Sequence, residues 1–259
     1  MRRPMLNNEA LGVILVLLGG ITTRICITGD YRNYVKPGLQ PLLLIAAATL
    51  LAIGGATLWH EIIRRRAVSS AAGHAASATQ DHDGHTASDG HDHARAPGVG
   101  WLLLVPVMAL VLLAPPPLGA DAAANAGSAL SAPTGDFPPL PDGDLVELTL
   151  SDYASRAVFD EGRSLADRQV QLVGFVAFGP RGEVFLARMI ASCCAADARP
   201  IKIGLEGEVS PDVVADSWLR VVGRYTPTRT TDDVNGAAIP YIDVVSVEPT
   251  TRPTDPYSF

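Results

Sequence analysis

Residues 170–190 read VQLVGFVAFGPRGEVFLARMI, two β-forming runs split by a turn. Val170, Leu172, Gly174, Val176 and Phe178 alternate with Gln171, Val173, Phe175 and Ala177. That period of two places successive side chains on opposite faces of a strand. Gly179-Pro180-Arg181-Gly182 supplies turn residues, and Val184–Ile190 is the return strand.

The same texture continues on both sides of this hairpin. Upstream, residues 145–150 are a short strand, and Ser151 opens a brief helix that runs to Phe159. Downstream, Ile201, Ile203 and Leu205 alternate with Lys202, Gly204 and Glu206. Leu219, Val221, Gly223 and Tyr225 alternate with Arg220, Val222 and Arg224, and residues 241–247 form a last strand. Five or six short strands with few helices predict an all-β domain over residues 142–259. A small barrel of the oligonucleotide/oligosaccharide-binding (OB) type accommodates them best, with a sandwich as the alternative. Gly174 and Gly223 fall inside strands, where a small barrel needs bends.

The barrel type does not imply nucleic acid. Residues 137–259 carry eleven Lys/Arg against eighteen Asp/Glu. An acidic surface repels phosphate, and no basic groove interleaved with aromatics is present. The domain also contains no histidine, so Ser-His-Asp hydrolytic chemistry has no base. The sequence points to a protein that is not an enzyme.

Ahead of the β-domain lie three apolar runs. Residues 10–29 hold one charge, Arg24, near the far end, where a long side chain snorkels to the interface. Residues 41–59 and 99–118 are uncharged. A bilayer core takes roughly 20 apolar residues, and none of the runs has the polar face of a soluble helix. The reading is three transmembrane helices, two within residues 1–66 and one within 98–118. A cleaved signal peptide is the rival for the first, but no small-x-small site follows Gly20. In the second run Ala48, Ala52 and Ala56 recur every fourth residue, either as a face for close helix packing or as simple alanine richness. Trp101 suits an interfacial anchor, and Pro115-Pro116-Pro117 ends the third helix.

Arg2 and Arg3 precede the first span, and Arg64, Arg65 and Arg66 follow the second, which puts both sites in the cytoplasm. Arg32 and Lys36 in the first loop are a milder contrary signal. Three crossings place everything after Gly119 outside the cytoplasm.

Residues 67–97 are rich in Ala, Ser, Gly, Asp and His, with almost nothing to bury, and predict a disordered loop. Within it His74, His82, His85, His91 and His93 stand among Asp81, Asp83, Asp89 and Asp92. Imidazole suits zinc, nickel or copper, so the tract reads as a weakly selective metal-capturing loop. The alternative is a solvated spacer. Residues 119–141 form a second, Ala/Gly/Pro linker that tethers the β-domain.

The segment Ser192-Cys193-Cys194-Ala195-Ala196-Asp197 follows the return strand. Two thiolates and a carboxylate are a donor set for zinc or another divalent or soft ion. Neighbouring strand side chains point apart, so both sulfurs reach one ion only if the backbone turns at the pair. A vicinal disulfide and a purely structural pair, with one cysteine buried and the other exposed, are the alternatives. No resident cofactor is otherwise indicated.

Three segments together resemble one family: Tyr31-x-x-Tyr34-Val35-x-Pro37; Gly174-Phe175-Val176 leading through Ala187-Arg188 to Cys193-Cys194-x-x-Asp197; and Pro253-x-x-Pro256-Tyr257-x-Phe259. They are similar to those of the YcgQ-like bacterial membrane proteins, described as subunits of a two-component membrane permease. The resemblance implies a bacterial cytoplasmic-membrane location and a partner, a separate polytopic permease. It carries Cys193, Cys194 and Asp197 as a family motif. The function expected is an accessory membrane subunit handling divalent or soft ions. A thiol–disulfide-active protein and a docking module for the permease are the alternatives.

Overall fold

The computed structural model describes residues 8–75, 105, 116–133, 135–208 and 213–259. They divide into two compact units, Met1–Asp30 with Gly38–Pro115, and Tyr31–Pro37 with Pro116–Phe259.

The first unit contains α1 (Asn8–Thr28) and α2 (Gln40–Ala75). Among the described residues these are the two helices long and apolar enough to cross a membrane, not three. The third apolar run, apart from Val105 and the non-helical Pro116, Pro117 and Leu118, lies outside the described residues. Glycines let α1 and α2 approach backbone to backbone. A Cβ on Gly54 would stand 3.0 Å from the carbonyl oxygen of Gly12, and one on Gly19 would stand 3.0 Å from that of Ala47. Such contacts suit helices packing in lipid, where close approach replaces the hydrophobic drive. Ala48, Ala52 and Ala56 are exposed, so the small face seen in the sequence is not the one that α1 covers. Helix α2 runs past the arginines to Ala75, so the first part of the expected disordered loop is helical.

The second unit is built on seven strands: β1 (Leu145–Glu147), β2 (Gln169–Phe178), β3 (Val184–Ile190), β4 (Arg199–Glu206), β5 (Trp218–Thr231), β6 (Ala238–Pro249) and β7 (Tyr257–Ser258). Their order is β1-β2-β5-β6-β4-β3-β7, and a further β2–β3 pairing closes five of them into a barrel. The sandwich alternative is thereby set aside. Closure falls to β2, which pairs with β5 over Gln169–Phe175 and with β3 over Phe175–Phe178. A strand shared between two neighbours must bend. At Gly174 a Cβ would lie 2.7 Å from the Ala187 carbonyl oxygen, and at Gly223, beside a register shift, 2.5 Å from that of Asp243.

Inside the barrel, Val170, Leu172, Val176, Leu186, Ile203, Val221 and Ile242 are fully buried. Each such side chain contributes about 1.5–3 kcal/mol by leaving water. Helix α4 (Leu150–Phe159) caps one end. Its Tyr153 is buried, with the hydroxyl donating to the Tyr241 carbonyl at 2.7 Å. The cap residue of this helix is Thr149, whose Oγ1 accepts the Asp152 N–H at 3.1 Å, rather than Ser151. Ser151 already lies within the first turn.

The segment expected to be a free tether is folded onto the barrel. Helix α3 (Ala120–Asn125) buries Ala120 and Ala123 against Phe175, Ala177, Ala187, Met189 and Tyr257. This second cluster explains why both alternating sets of β2 are apolar. Beyond α3, the Ser128 N–H reaches the Asp232 carboxylate at 3.0 Å and the Ala129 N–H reaches the Pro200 carbonyl at 2.8 Å. Asp232 also holds a buried ion pair with Lys202 at 3.0 Å.

Candidate functional site

Strand β3 leads directly into the cysteine pair. At its end the Ala191 N–H donates to the Ser258 carbonyl at 3.0 Å, where β7 runs parallel to β3. The chain then turns, and Asp197 makes it turn. One carboxylate oxygen accepts the Ser192 N–H and the other the Cys193 N–H, both at 2.9 Å. Asp197 itself ends a short 3₁₀ turn, Ala195–Asp197. The backbone bend required for joint action of the two sulfurs is therefore present. Cys193 Sγ and Cys194 Sγ lie 3.6 Å apart, and with an Asp197 oxygen they form a set of donor atoms all within 4.8 Å of one another.

Cys193 is exposed and Cys194 half-buried. The Asp197 carboxylate, followed by the neighbouring Cys194 thiol, holds the Cys193 thiol on the protonated side and pushes its pKa up to about 11. Hydrogen bonds from Cys193, backbone first and then thiol, hold the Asp197 carboxyl below its usual range.

A second segment completes the site. The loop Tyr31–Pro37, which joins α1 to α2 in sequence, pairs antiparallel with the cysteines through a bridge between Val35 and Cys194. The Lys36 N–H donates to the Cys193 carbonyl at 3.0 Å, and the Ala195 N–H donates to the Tyr34 carbonyl at 2.7 Å. Hydrogen bonds on either side of a residue pair leave the pair itself in the narrow spacing, with its side chains close together on one face.

The C-terminal segment is the third partner. The Arg188 guanidinium, half-buried and 5.1 Å from the Trp218 ring centre, donates to the Asp255 carbonyl at 2.7 Å. Burial lowers the pKa of Arg188, against the opposing charge of Asp255. The Asp255 side chain pairs with Arg32 at 3.4 Å, and the Lys36 ammonium sits 5.5 Å from the Phe259 ring centre. All three segments singled out in the sequence thus meet at one place.

Among the described residues the donors grouped at this site are Cys193, Cys194 and Asp197. His74 falls in the last turn of α2, and His82, His85, His91 and His93 lie outside the described residues. Sequence reasoning found the three donors but missed their neighbours. It noted Tyr34, Val35 and Arg188 as motif residues and had no signal that a loop between two apolar helices reaches a distant β-strand.

Chemically, two sulfurs bound to one tetrahedral zinc at about 2.3 Å would stand about 3.8 Å apart. The observed 3.6 Å is close to that separation. Asp197, although engaged by two N–H groups, keeps lone pairs free, since a carboxylate offers about four acceptor positions. Three protein donors leave a fourth position for water or an exchanging ligand.

Fold and site together define, among the described residues, two long apolar helices and a closed five-strand β-barrel that carries a vicinal-cysteine cluster. Residues 11–129 match the DUF1980 N-terminal domain and residues 146–259 the DUF1980 C-terminal domain. The two cover most of the chain, which belongs to the DUF1980 family. No curated protein and no solved structure matches it. The loop Tyr31–Pro37, which straps the cysteine segment, comes from the N-terminal family domain and the cysteines from the C-terminal one, so the site draws on both.

Proposed function

We propose that this chain is a YcgQ-like accessory subunit of a two-component membrane permease, with an OB-type barrel that binds a divalent or soft metal ion at Cys193, Cys194 and Asp197. The carrying observation is the 3.6 Å sulfur–sulfur separation with a carboxylate oxygen inside the same 4.8 Å cluster. The barrel order, with β4 and β6 parallel and the remaining barrel pairs antiparallel, fits the OB type. The open fourth position suits an ion that is captured and passed on, and α1 and α2, even with the apolar run 99–118 as a third crossing, make a poor solute pathway. The solute route belongs to the partner permease, and the His-rich segment buffers ions on the other side.

The bridge between the first loop and the cysteine segment also supports a sidedness. Residues that hydrogen-bond to each other lie on one side of the bilayer. If α1 and α2 each cross once, an even number of crossings must separate Pro37 from Pro116. Helix α2 supplies one, and the apolar run 99–118 is the segment available for the other. With Arg2, Arg3 and the Arg64-Arg65-Arg66 cluster in the cytoplasm, the barrel and its cysteines face outward.

Equilibrium dialysis of the full chain in detergent micelles against Zn(II) or Cu(I) tests the metal reading. The native chain is expected to retain ion in excess of a Cys193→Ser/Cys194→Ser variant, and equal retention dismisses the site. The thiol–disulfide reading draws on the adjacency of the two sulfurs, but they stand well beyond the roughly 2.05 Å of a disulfide. Differential alkylation of native membranes decides it, because reduced thiols in that setting remove its basis.

A further inference from the structure

Two consecutive residues in an extended chain direct their side chains apart, so a chelating Cys-Cys pair needs its backbone held on both sides. Asp197 holds one side, through the N–H groups of Ser192 and Cys193. The other side is held by the loop. Lys36 N–H fixes the Cys193 carbonyl and the Tyr34 carbonyl fixes the Ala195 N–H, so the peptide units flanking Cys194 are both pinned to Tyr31–Pro37. The loop is anchored in turn by Arg32 on Asp255 and by Lys36 over Phe259.

We infer that Tyr34, Val35 and Lys36 are positioning residues of the cysteine site, and that ion binding at the two sulfurs and ordering of this loop favour each other. The inference rests on the metal reading above. An ion that bridges both sulfurs selects backbone conformations in which Cys193 and Cys194 point together, which are the conformations the strap enforces. By linkage, whatever factor the strap adds to ion affinity, the ion adds to strap formation. Occupancy of an extracytoplasmic site is thereby registered in the segment that joins two membrane helices in sequence.

The test uses the full chain in detergent micelles, with Zn(II) alone as the probe. Isothermal titration reads binding, and hydrogen–deuterium exchange reads protection of the 31–37 peptide. Ala195→Pro removes the N–H given to Tyr34 at the first position of a 3₁₀ turn, where proline is tolerated. Lys36→Pro removes the N–H given to Cys193, whereas Lys36→Arg keeps it. Zinc is expected to slow exchange in 31–37 of the native chain but not of the Cys193→Ser/Cys194→Ser variant. Both proline variants should bind zinc more weakly, on the order of tenfold, with Lys36→Arg close to native. Unchanged exchange in β2 and β5 peptides certifies that the barrel is folded, and loss of that protection in one proline variant leaves the other and the zinc response of the native chain to decide. Zinc bound at the sulfurs without any change in 31–37, or with native affinity in both proline variants, overturns the coupling and leaves the metal site standing. No zinc retained beyond the double serine variant overturns both, and the titration alone shows which case holds.

Discussion

Val35 and Cys194 face each other in an antiparallel bridge, although one lies between two long apolar helices in sequence and the other follows a barrel strand. The contact ties the sidedness of the first loop to that of the C-terminal domain. A reporter enzyme active only outside the cytoplasm, fused after Phe259 or inserted at Gly38, should be active at both places. Activity at one and not the other would break the link between loop and barrel.

Asp197 organises the cysteine turn by accepting two backbone N–H groups. Replacement by Ala removes a donor and the bend together, so zinc affinity should fall roughly 10–100-fold, the usual effect of losing a residue that orients metal ligands. Asp197→Asn keeps one acceptor oxygen and should lose less. Competition with a chromophoric chelator measures both. Native affinity in Asp197→Ala would show that the turn does not depend on this carboxylate.

The Cys193 thiol carries a pKa raised to about 11 by Asp197 and then Cys194. Only the thiolate attacks alkylating reagents, so at pH 7 the metal-free thiol should react far more slowly than an ordinary cysteine. Its rate should climb as pH approaches 11. Asp197→Asn removes the carboxylate charge and moves the profile toward lower pH. A native midpoint near the usual value of about 8.5 would contradict this account, and mass spectrometry of iodoacetamide labelling reads it.

The buried pair of Lys202 and Asp232 fastens the segment after α3 to the barrel. Burial by itself raises the Asp232 carboxyl, but hydrogen bonds from the Val234 N–H, Lys202 and the Ser128 N–H outweigh it, and the net shift is downward. A carboxyl lowered in the folded state stabilises the fold above its unfolded pKa of about 3.9 and loses that contribution as pH falls through the folded value. Acid unfolding of the barrel should therefore begin below about pH 4. Asp232→Ala strands the Lys202 ammonium and should cost about 3–5 kcal/mol in urea unfolding at pH 7. A loss well under 1 kcal/mol would show that Lys202 finds water or another acceptor.

Much of the β-domain was legible from residues 170–247, because period-two alternation and turn glycines are local signals. The hairpin β2–β3 and the glycine bends at Gly174 and Gly223 fall where those signals put them. Strand lengths were read short: β5 runs on to Thr231 through Thr226-Pro227-Thr228, where alternation of apolar and polar residues fails. The segment 119–141 read as a tether because its alanines carry no period, yet Ala120 and Ala123 are small enough to pack flat against Phe175 and Tyr257. Cys193, Cys194 and Asp197 were visible as a motif. Their geometry was not, since the bend at Cys193 comes from Asp197 and the pinning at Cys194 from Tyr34 and Lys36, contacts between segments that no local pattern encodes.

X-ray absorption at the zinc edge, on the full chain loaded with one equivalent of Zn(II), addresses the cysteine centre most directly. Two sulfur scatterers at about 2.3 Å, absent from the Cys193→Ser/Cys194→Ser variant, are the predicted result. A shell of nitrogen and oxygen alone, identical in both proteins, would contradict it.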